Sequence, residues 1–290
     1  MYDICCVGHI TSDKVVTTDA IRYMPGGTAY YFSCAVSRLD MRYLLVTALA
    51  EPEMRYVDGL RAKEIKVNVQ QSMHTVYFEN IYAQNQDQRT QRVSQKADAF
   101  TMEQLVNVNA HVFHLGPLLA DDIQVEVIKE LAARGRISLD IQGYLRKVEH
   151  EKVYPANWPE HKAALPYISI LKADVAELAT LSGYKTVADG VKYLADSGVQ
   201  EVVITNGSKG SAIYTEGFFY EIPAYRPKTI IDATGCGDTY MAGYLYQRVK
   251  GMDIQRSGEF AAAMAGLKTA SPGAFIGTED EVNRFLASRF

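Results

Sequence analysis

The sequence predicts an α/β fold in which a central, mostly parallel sheet is flanked by helices on both faces. Three observations lead to this prediction. From residue 111 onward, short apolar runs alternate with segments of helical spacing, as in parallel strands joined by helices. The first apolar run, Tyr2–Gly8, is typical of a buried strand. The 290 residues are 48% hydrophobic, which allows a sizeable buried core.

The first part of the chain contains two predicted buried strands and one helix. Tyr2–Gly8 and Leu44–Ala50 are short apolar runs. Between them, Thr28–Leu39 places small and apolar residues at helical spacing. Gly26 and Gly27 directly precede this segment, so the helix is expected to begin after a double glycine.

Two β-rich segments, at about residues 10–23 and 72–97, fall outside the alternation of strands and helices. Residues 74–82 alternate apolar and polar side chains, which predicts an exposed hairpin. We expect the two segments to pair into a small sheet over the open edge of the main domain. The domain prediction is therefore one α/β domain over residues 1–290, with a discontinuous β lid at about 10–23 and 72–97.

The second part of the chain follows the strand and helix alternation. The predicted strands are His111–Leu115, Ile137–Ile141, Tyr167–Leu171 and Glu201–Thr205. The predicted helices are Asp122–Arg134, Asp174–Leu181, Val187–Ser197, Gly235–Val249, Gly258–Thr269 and Glu279–Ala287.

Composition and charge exclude several classes of function. The net charge is −4 and there is no block rich in Lys and Arg, so nucleic acid is not an expected partner. No apolar run approaches the ~20 residues that span a bilayer, and the N-terminus lacks a signal-peptide pattern. We therefore expect no membrane partner and a cytoplasmic location. The four cysteines contain no CxxC pair, which predicts reduced thiols rather than a zinc site or disulfides.

The most informative motif is DATGCGD, residues 232–238, which runs directly into a predicted helix. Its two glycines expose backbone amides at a helix start, and such amides bind anions such as phosphate. One well-placed donor to the charge that develops in phosphoryl transfer is worth ~2.7–4 kcal/mol. Asp238 could then accept the proton of an attacking hydroxyl. The alternative is structural: a glycine-rich turn in which Asp238 counters the helix dipole.

Five motifs occur in a fixed order along the chain. They are Gly8 with Asp13, Gly26-Gly27 before a helix, Asp174-Val175-Ala176-Glu177, Thr205-Asn206-Gly207-Ser208-Lys209-Gly210, and the DATGCGD segment. In this order they resemble the signature of the ribokinase-like (phosphofructokinase B) carbohydrate kinases over nearly the whole chain. Other phosphate motifs do not fit, because the chain has no GxxxxGK[ST] loop and residues 235–237 lack the third glycine of GxGxxG.

The resemblance implies a ribokinase-like fold with a β lid and an ATP-dependent phosphotransferase. Asp238 is implied as the catalytic base, with the amides of Gly235, Cys236 and Gly237 as the anion hole. The implied substrate-binding residues are Asp13, Gly26, Gly27, Tyr31, Asn80 and Arg89. The implied nucleotide-binding residues are Thr205, Gly207, Gly210 and Lys172.

The implied cofactors are ATP and Mg²⁺, with K⁺ as a further expectation. Glu177 and Asp174 are expected to act on Mg²⁺, mainly through water. Asp232 and Gly273 are expected to lie beside a monovalent cation.

Three residues depart from the family pattern. Tyr31 stands where an Asn is common, and a phenol cannot replace the two donors and the acceptor of an amide; its alternative role is packing at the helix start. Asp174 stands where Asn is usual, and it can also cap the following helix. Cys236 replaces a more frequent Ala, and a thiol at a helix N-terminus is expected to have a lowered pKa.

The expected acceptor is an unphosphorylated sugar or polyol. Phe78–Tyr82 and Arg89–Arg92 are locally similar to the lid of the inositol kinases of this family. An Arg on the lid could instead hold a substrate phosphate, so sugar-phosphate and nucleoside kinases remain alternatives. A homodimer through the exposed lid edge is also expected.

Two readings from other classes compete with the kinase. One is a catalytically silent relative that binds a sugar or nucleotide. The other is a nucleotide-dependent oxidoreductase, against which the missing GxGxxG argues.

Overall fold

The computed structural model describes residues 1–16, 21–82 and 89–288. Its strands are β1 (Tyr2–Val7), β2 (Thr11–Val16), β3 (Ile21–Gly26), β4 (Tyr43–Leu49), β5 (Lys66–Gln71), β6 (Val76–Tyr82), β7 (Arg89–Gln95), β8 (Ala110–Leu115), β9 (Arg136–Asp140), β10 (Arg146–Glu149), β11 (Lys152–Pro155), β12 (Ile170–Asp174), β13 (Glu201–Thr205), β14 (Ser211–Thr215) and β15 (Phe218–Ile222). Its helices are α1 (Thr28–Val36), α2 (Met54–Arg61), α3 (Met102–Leu105), α4 (Val125–Ala132), α5 (His161–Ala164), α6 (Val175–Ser182), α7 (Val187–Asp196), α8 (Cys236–Val249), α9 (Ile254–Lys268) and α10 (Glu279–Ala287).

The main sheet has nine strands in the order β15-β14-β13-β12-β9-β8-β1-β4-β5. All neighbours from β13 to β5 are parallel, while β14 and β15 are antiparallel additions at one edge. The predicted fold class is confirmed. The antiparallel hairpin of β14 and β15 was absent from the prediction, as were β5 and α2.

Helices cover both faces of the main sheet because its strands are apolar on both sides. Within β1, Ile4 and Cys6 belong to the core beneath α1, α8 and α9. Cys5 and Val7 belong to the opposite core, beneath α4, α6 and α7. This alternation is what period-two strand geometry requires of a strand buried on both faces.

A second sheet has six strands in the order β10-β11-β7-β6-β2-β3. Its strands β2, β3, β6 and β7 lie in the two β-rich segments of the sequence, with β3 continuing to Gly26. Strands β10 and β11 were not predicted, because residues 146–155 are short, polar and interrupted by a turn. One face of this sheet packs on the main domain through Phe78, Val93, Leu118 and Leu119.

Capping accounts for several boundaries. The predicted helix at Gly258–Thr269 begins earlier, at Ile254, because the side chain of Asp253 accepts a hydrogen bond from the amide of Arg256. Asp174 is the N-cap of α6 rather than its first helical residue. Within the described ranges, no helix is both long and apolar enough to cross a bilayer.

Helix α8 is tied to the main sheet by a buried carboxylate. Glu201, at the start of β13, accepts a hydrogen bond from the hydroxyl of Tyr244 at 2.7 Å. It also pairs with Arg248 and Arg136, each at 2.9 Å. Burial alone would raise the pKa of Glu201, but these hydrogen bonds outweigh it and lower the pKa. The network fixes the far end of α8, and with it the position of the first turn.

Candidate active site

The carboxyl ends of three neighbouring strands bring polar side chains together. In the register of β9, β12 and β13, Asp140 lies beside Lys172, and Asp174 lies beside Thr205. Ligands of open α/β sheets bind outside this edge. The sequence motifs at 174–177 and 205–210 therefore meet at one place.

The DATGCGD segment begins α8 at the same edge. Gly235 is the N-cap, with φ of 77°, a left-handed conformation that glycine adopts without strain. A Cβ on Gly237 would lie 3.3 Å from Nζ of Lys172. The first turn of α8 therefore lies directly against a buried ammonium group, which adds positive charge to the helix N-terminus.

The amides of the predicted anion hole differ in their partners. The amide of Cys236 donates to the carbonyl of Ala233 at 3.2 Å. The amides of Gly235 and Gly237 make no hydrogen bond within the part of the chain that the structure describes. Two of the three predicted donors are thus available to a ligand.

Asp238 lies in the first turn of α8 and is partly buried. Desolvation, together with repulsion from Asp140, raises the pKa of Asp238 to about 7. The charge of Lys172, a hydrogen bond from Thr28 and the charge of Arg146 act in the opposite direction. The carboxyl group therefore changes its charge near neutral pH.

Lys172 is the cation that compensates these carboxylates. Its Nζ lies 2.9 Å from Asp140 and 3.9 Å from Glu177, and the side chain is 7% exposed. Burial alone would lower the pKa of Lys172, but attraction to Asp140 and Glu177 outweighs it and raises the pKa. The ammonium therefore stays charged throughout the neutral range.

Glu177 and Asp174 form a reciprocal capping box at the start of α6. The amide of Glu177 donates to Asp174, and the amide of Asp174 donates to Glu177, each at 2.7 Å. The second oxygen of Glu177 accepts a hydrogen bond from Gln142 at 3.2 Å. Desolvation is the largest cause that raises the pKa of Glu177, and repulsion from Asp140 adds to it.

The carboxylates at this edge outnumber the one ammonium between them. Asp140, Glu177 and Asp238 all act on Lys172, and Asp174 adds its negative charge beside Glu177. Among the described residues, no three His, Cys, Asp or Glu side chains form a metal cage. Mg²⁺ needs no such cage, because it keeps several waters and binds through one or two carboxylates and phosphates. The donor set therefore fits Mg²⁺.

The Thr205–Gly210 loop connects β13 to β14. It is closed by a hydrogen bond from the amide of Asn206 to the carbonyl of Gly210, at 2.8 Å. Gly207 and Gly210 have positive φ, of 51° and 99°. A Cβ on Gly210 would collide with the backbone of Ile222, whereas one on Gly207 would meet open space. Gly210 is thus required by packing, and Gly207 faces a free surface.

Asp232 is held by two parts of the chain that follow α8. Its Oδ2 lies 2.9 Å from Nζ of Lys268 and accepts the amide of Gly273 at 3.2 Å. Its Oδ1 accepts the amide of Thr234 at 2.9 Å. Burial alone would raise the pKa of Asp232, but the hydrogen bonds from Lys268 and Thr234 outweigh it and lower the pKa. The predicted proximity of Asp232 and Gly273 is thus present.

The prediction of a lowered pKa for Cys236 was wrong. Burial of the thiol outweighs the helix N-terminus and the charge of Lys268, and it raises the pKa of Cys236 to about 11. The Sγ atom points to the carbonyl of Ala265, 3.6 Å away. Cys236 is therefore a protonated thiol at neutral pH.

Tyr31 lies between three carboxylates. Its ring packs against Gly235, since a Cβ on Gly235 would overlap it. The side chain is 3% exposed, and its hydroxyl has no hydrogen-bond partner among the described residues. Burial is the main cause that raises the pKa of Tyr31, with Asp13, Asp232 and Asp238 adding to it. Tyr31 thus packs against Gly235 and also carries a buried hydroxyl that has no hydrogen-bond partner among the described residues.

The double glycine allows α1 to start close to β2. A Cβ on Gly26 would collide with the carboxylate of Asp13, which also accepts a hydrogen bond from Thr11 at 2.6 Å. Gly27 has φ of 84° and caps α1, and a Cβ there would meet the carbonyl of His9. The two glycines therefore bring the helix start against Asp13, which is 9% exposed.

Asn80 occupies the inner face of the second sheet. It is 6% exposed and its Oδ1 accepts a hydrogen bond from Gln91 at 2.9 Å. Arg92 lies on the opposite face, paired with Glu151 at 2.6 Å. The backbone of Arg89 pairs with Tyr82, while the side chain of Arg89 lies outside the described part of the structure.

Comparison with known proteins identifies the family. The model for pfkB family carbohydrate kinases matches residues 1–281. The chain belongs to this family. The structure of a pyrophosphate-dependent kinase in the ribokinase family, complexed with a pyrophosphate analog and myo-inositol, is similar to this pfkB kinase with a TM-score of 0.88 and 25% identity. The similarity covers 97% of this chain and 99% of that one.

Two further relatives differ in substrate. A cytidine kinase from Thermococcus kodakarensis is 24% identical over 263 residues, which are 88% of this chain and 91% of the relative. Arabidopsis thaliana ribokinase, solved with ribose and ATP, has a TM-score of 0.79 at 20% identity, and the match covers 98% of each chain. The kinase class is common to all three.

Four residues near the candidate site were not predicted. Thr28, Asp140 and Arg146 act on Asp238, and Lys268 holds Asp232. Asp140 is a carboxylate inside the predicted strand Ile137–Ile141, and Lys268 is a charge inside the predicted helix Gly258–Thr269, so a charge in an apolar element marked both residues as unusual. Arg146 lies in a polar stretch that gave none.

The contact between Gly235 and Tyr31 predicts the effect of Gly235→Ala. A left-handed φ and the overlap with the Tyr31 ring both oppose a Cβ, so we expect a loss of about 2–3 kcal/mol in the free energy of unfolding. Gly183→Ala is the matched control, because Gly183 has φ of 76° and its Cβ would meet nothing within 4 Å. Denaturant unfolding measures both variants. Equal losses would contradict the ring contact.

Proposed function

We propose that this kinase transfers the terminal phosphoryl group of ATP to a hydroxyl of a sugar or polyol, with Asp238 as the general base. The observation that carries the proposal is the first turn of α8, where Asp238, free glycine amides and the Lys172 ammonium lie together. This arrangement supplies a proton acceptor and an anion site within one turn of helix. Phosphoryl transfer needs both.

The raised pKa of Asp238 suits a base at neutral pH. A base is most effective when its pKa is near the working pH, and the pKa of Asp238 is about 7. Thr28 acts on Asp238 in the direction that lowers its pKa, and so favours the carboxylate form that accepts a proton. An acceptor hydroxyl beside Asp238 then passes its proton to the carboxylate as its oxygen bonds to the γ-phosphorus of ATP, and the bond from that phosphorus to the β,γ-bridging oxygen breaks and releases ADP.

The free amides of Gly235 and Gly237 are proposed to bind the oxygens of the transferred phosphoryl group. Lys172 lies against Gly237 and supplies the nearby positive charge. Glu177 and Asp174 are proposed to hold Mg²⁺, mainly through water, and Mg²⁺ would neutralise charge on the phosphates of the donor. The Thr205–Gly210 loop, which is open at Gly207, is proposed to receive the nucleoside.

The second sheet is proposed to act as a lid over the acceptor. Its inner face presents Asn80 and Gln91, while Asp13 and Tyr31 lie at the base of the sheet. Carboxylate, amide and phenol groups can bind several hydroxyls of a ring-shaped polyol. The relative solved with myo-inositol supports an inositol-like acceptor. Closure would exclude water and prevent hydrolysis of ATP.

Nucleosides and sugar phosphates are the alternative acceptors. The cytidine kinase relative supports a nucleoside. Arg92 is engaged by Glu151 and Glu79 on the outer face, so it gives no support to a substrate phosphate. Membership of the pfkB kinase family argues against the two other hypotheses, a nucleotide-dependent oxidoreductase and a catalytically silent sugar- or nucleotide-binding relative. The cytoplasmic location stays a prediction.

The role of Asp238 predicts a specific pH dependence. Turnover should rise with pH as the carboxyl loses its proton, with an apparent pKa of about 7. Asp140→Asn removes the repulsion that favours the protonated form of Asp238, so the rise of turnover with pH should move to lower pH. Asp58→Asn, on the exposed surface of α2, should leave the profile unchanged. Initial rates from pH 5 to 9 measure the shift.

Asp238→Asn completes this experiment. An amide cannot take the proton, so we expect turnover to fall by about 10²–10⁴-fold while ATP binding, measured by calorimetry, is nearly kept. Substantial remaining turnover, or a rise with pH that does not move in Asp140→Asn, would remove Asp238 as the base.

Pyrophosphate is a second candidate donor, favoured by the similarity to the pyrophosphate-dependent kinase. We expect ATP to support turnover with the same acceptor. Asn tolerates a left-handed φ, so Gly207→Asn should fold normally and place a side chain where the nucleoside is proposed to bind. The KM for ATP should then rise severalfold, while any rate with pyrophosphate stays unchanged. Turnover with pyrophosphate alone would overturn ATP as the donor.

A dimer through the lid edge is the expected assembly. Strand β3 is a terminal strand of the second sheet, and Ile21 and Tyr23 on it are 59% and 66% exposed. Unpaired apolar edges tend to be covered. Light scattering should give a dimer for the wild type and a smaller mass for Tyr23→Lys. A wild-type monomer at working concentration would contradict this assembly.

A further inference from the structure

Lys268 is a fully buried lysine at the end of α9. Its side chain is 0% exposed, and its Nζ lies 2.9 Å from Oδ2 of Asp232. The same Nζ donates to the backbone carbonyl of Asp232 at 2.8 Å. Lysine is almost never fully buried unless its charge is paired. Asp232 provides that pairing with two oxygens.

These two oxygens belong to the residue that the sequence predicted as a neighbour of a monovalent cation. The ammonium already occupies the space in front of them. A second cation on the same oxygens would lie within a few ångströms of the fixed positive charge of Lys268, whose side chain is itself 0% exposed. The residues at Asp232 therefore do not fit a bound K⁺.

The ammonium also performs the task that a bound cation would have there. It joins α9 to Asp232, whose Oδ1 accepts the amide of Thr234, next to Gly235. The amide of Ile231 donates to the carbonyl of Thr269 at 2.7 Å, and the amide of Asp232 donates there at 3.3 Å. The loop before α8 is thus fixed to the end of α9 by one charge and a set of backbone hydrogen bonds.

We propose that Lys268 is a built-in replacement for a monovalent cation beside the anion hole, and that phosphoryl transfer by this chain is independent of K⁺. The inference rests on the proposed function, since it concerns the loop that would bind the transferred phosphate. The positive charge is covalently attached and needs no ion from solution. Lys268 acts through Asp232 and Gly235, so it is a positioning residue.

The first test compares salts at constant ionic strength. Wild-type turnover in potassium chloride should equal that in choline chloride within about twofold. A rise of more than about tenfold in potassium chloride would overturn the proposal. Choline is too large for a site between protein oxygens, so it controls for salt effects on exposed charges.

The second test removes the ammonium. Lys268→Ala leaves Asp232 without its cation and opens space beside it, so turnover should fall in choline chloride and recover at least severalfold in potassium chloride. Lys192→Met, on the exposed surface of α7, is the control and should behave as the wild type. A folded Lys268→Ala variant with no response to K⁺ would overturn the proposal and leave Lys268 as a helix-end contact.

A melting experiment separates this inference from the proposed function. Potassium chloride should raise the melting temperature of Lys268→Ala by several degrees relative to choline chloride, because an ion that binds only the folded state stabilises it. It should not raise that of the wild type. This readout needs no substrate, so an inactive protein would still test Lys268. If Lys268→Ala does not fold, a wild-type melting temperature that K⁺ raises would overturn the proposal.

Discussion

The buried ammonium of Lys172 is the interaction on which the candidate site depends. It lies 2.9 Å from Asp140 and 3.9 Å from Glu177, against the first turn of α8. Carboxylates gathered this closely are stable away from water only when a cation compensates them. Lys172 therefore allows β9, β12 and α8 to converge. The chemistry of the site follows from that convergence.

The compensation is incomplete, and this shapes the proposed activity. Desolvation of Asp238, together with repulsion from Asp140, outweighs the attraction of Lys172, so protonation of Asp238 becomes favourable near neutral pH. The same excess of negative charge favours a divalent cation beside Glu177. On the other side of the α8 start, Lys268 neutralises Asp232 at 2.9 Å. The turn proposed to bind phosphate thus lies between two buried lysines, which supply positive charge there without a basic surface.

The local parts of the site could be predicted from the sequence. Glycines before a helix expose backbone amides, so the DATGCGD segment indicated a possible anion site and Asp238 as a base, beside the structural alternative of a glycine-rich turn. Contacts between distant segments could not be predicted: the position of Lys268 in an apolar helix marks it as unusual, but does not indicate that it reaches Asp232 across 36 residues. The short polar strands β10 and β11 also escaped prediction, because the pairing of β11 with β7 is decided by tertiary contact rather than by a sequence pattern. The pKa of the Cys236 thiol is raised and not lowered as predicted, because burial outweighs the helix dipole.

Formation of a phosphate ester is the most direct test of the central claim, that this site transfers phosphate to a polyol. Phosphorus NMR of reactions with ATP, Mg²⁺ and single acceptors, drawn from inositols, hexoses, pentoses, nucleosides and sugar phosphates, measures it. We predict a new phosphomonoester with a sugar or an inositol-like polyol, formed in step with ADP. Phosphorylation confined to nucleosides, or ATP bound with no ester from any acceptor, would contradict the account.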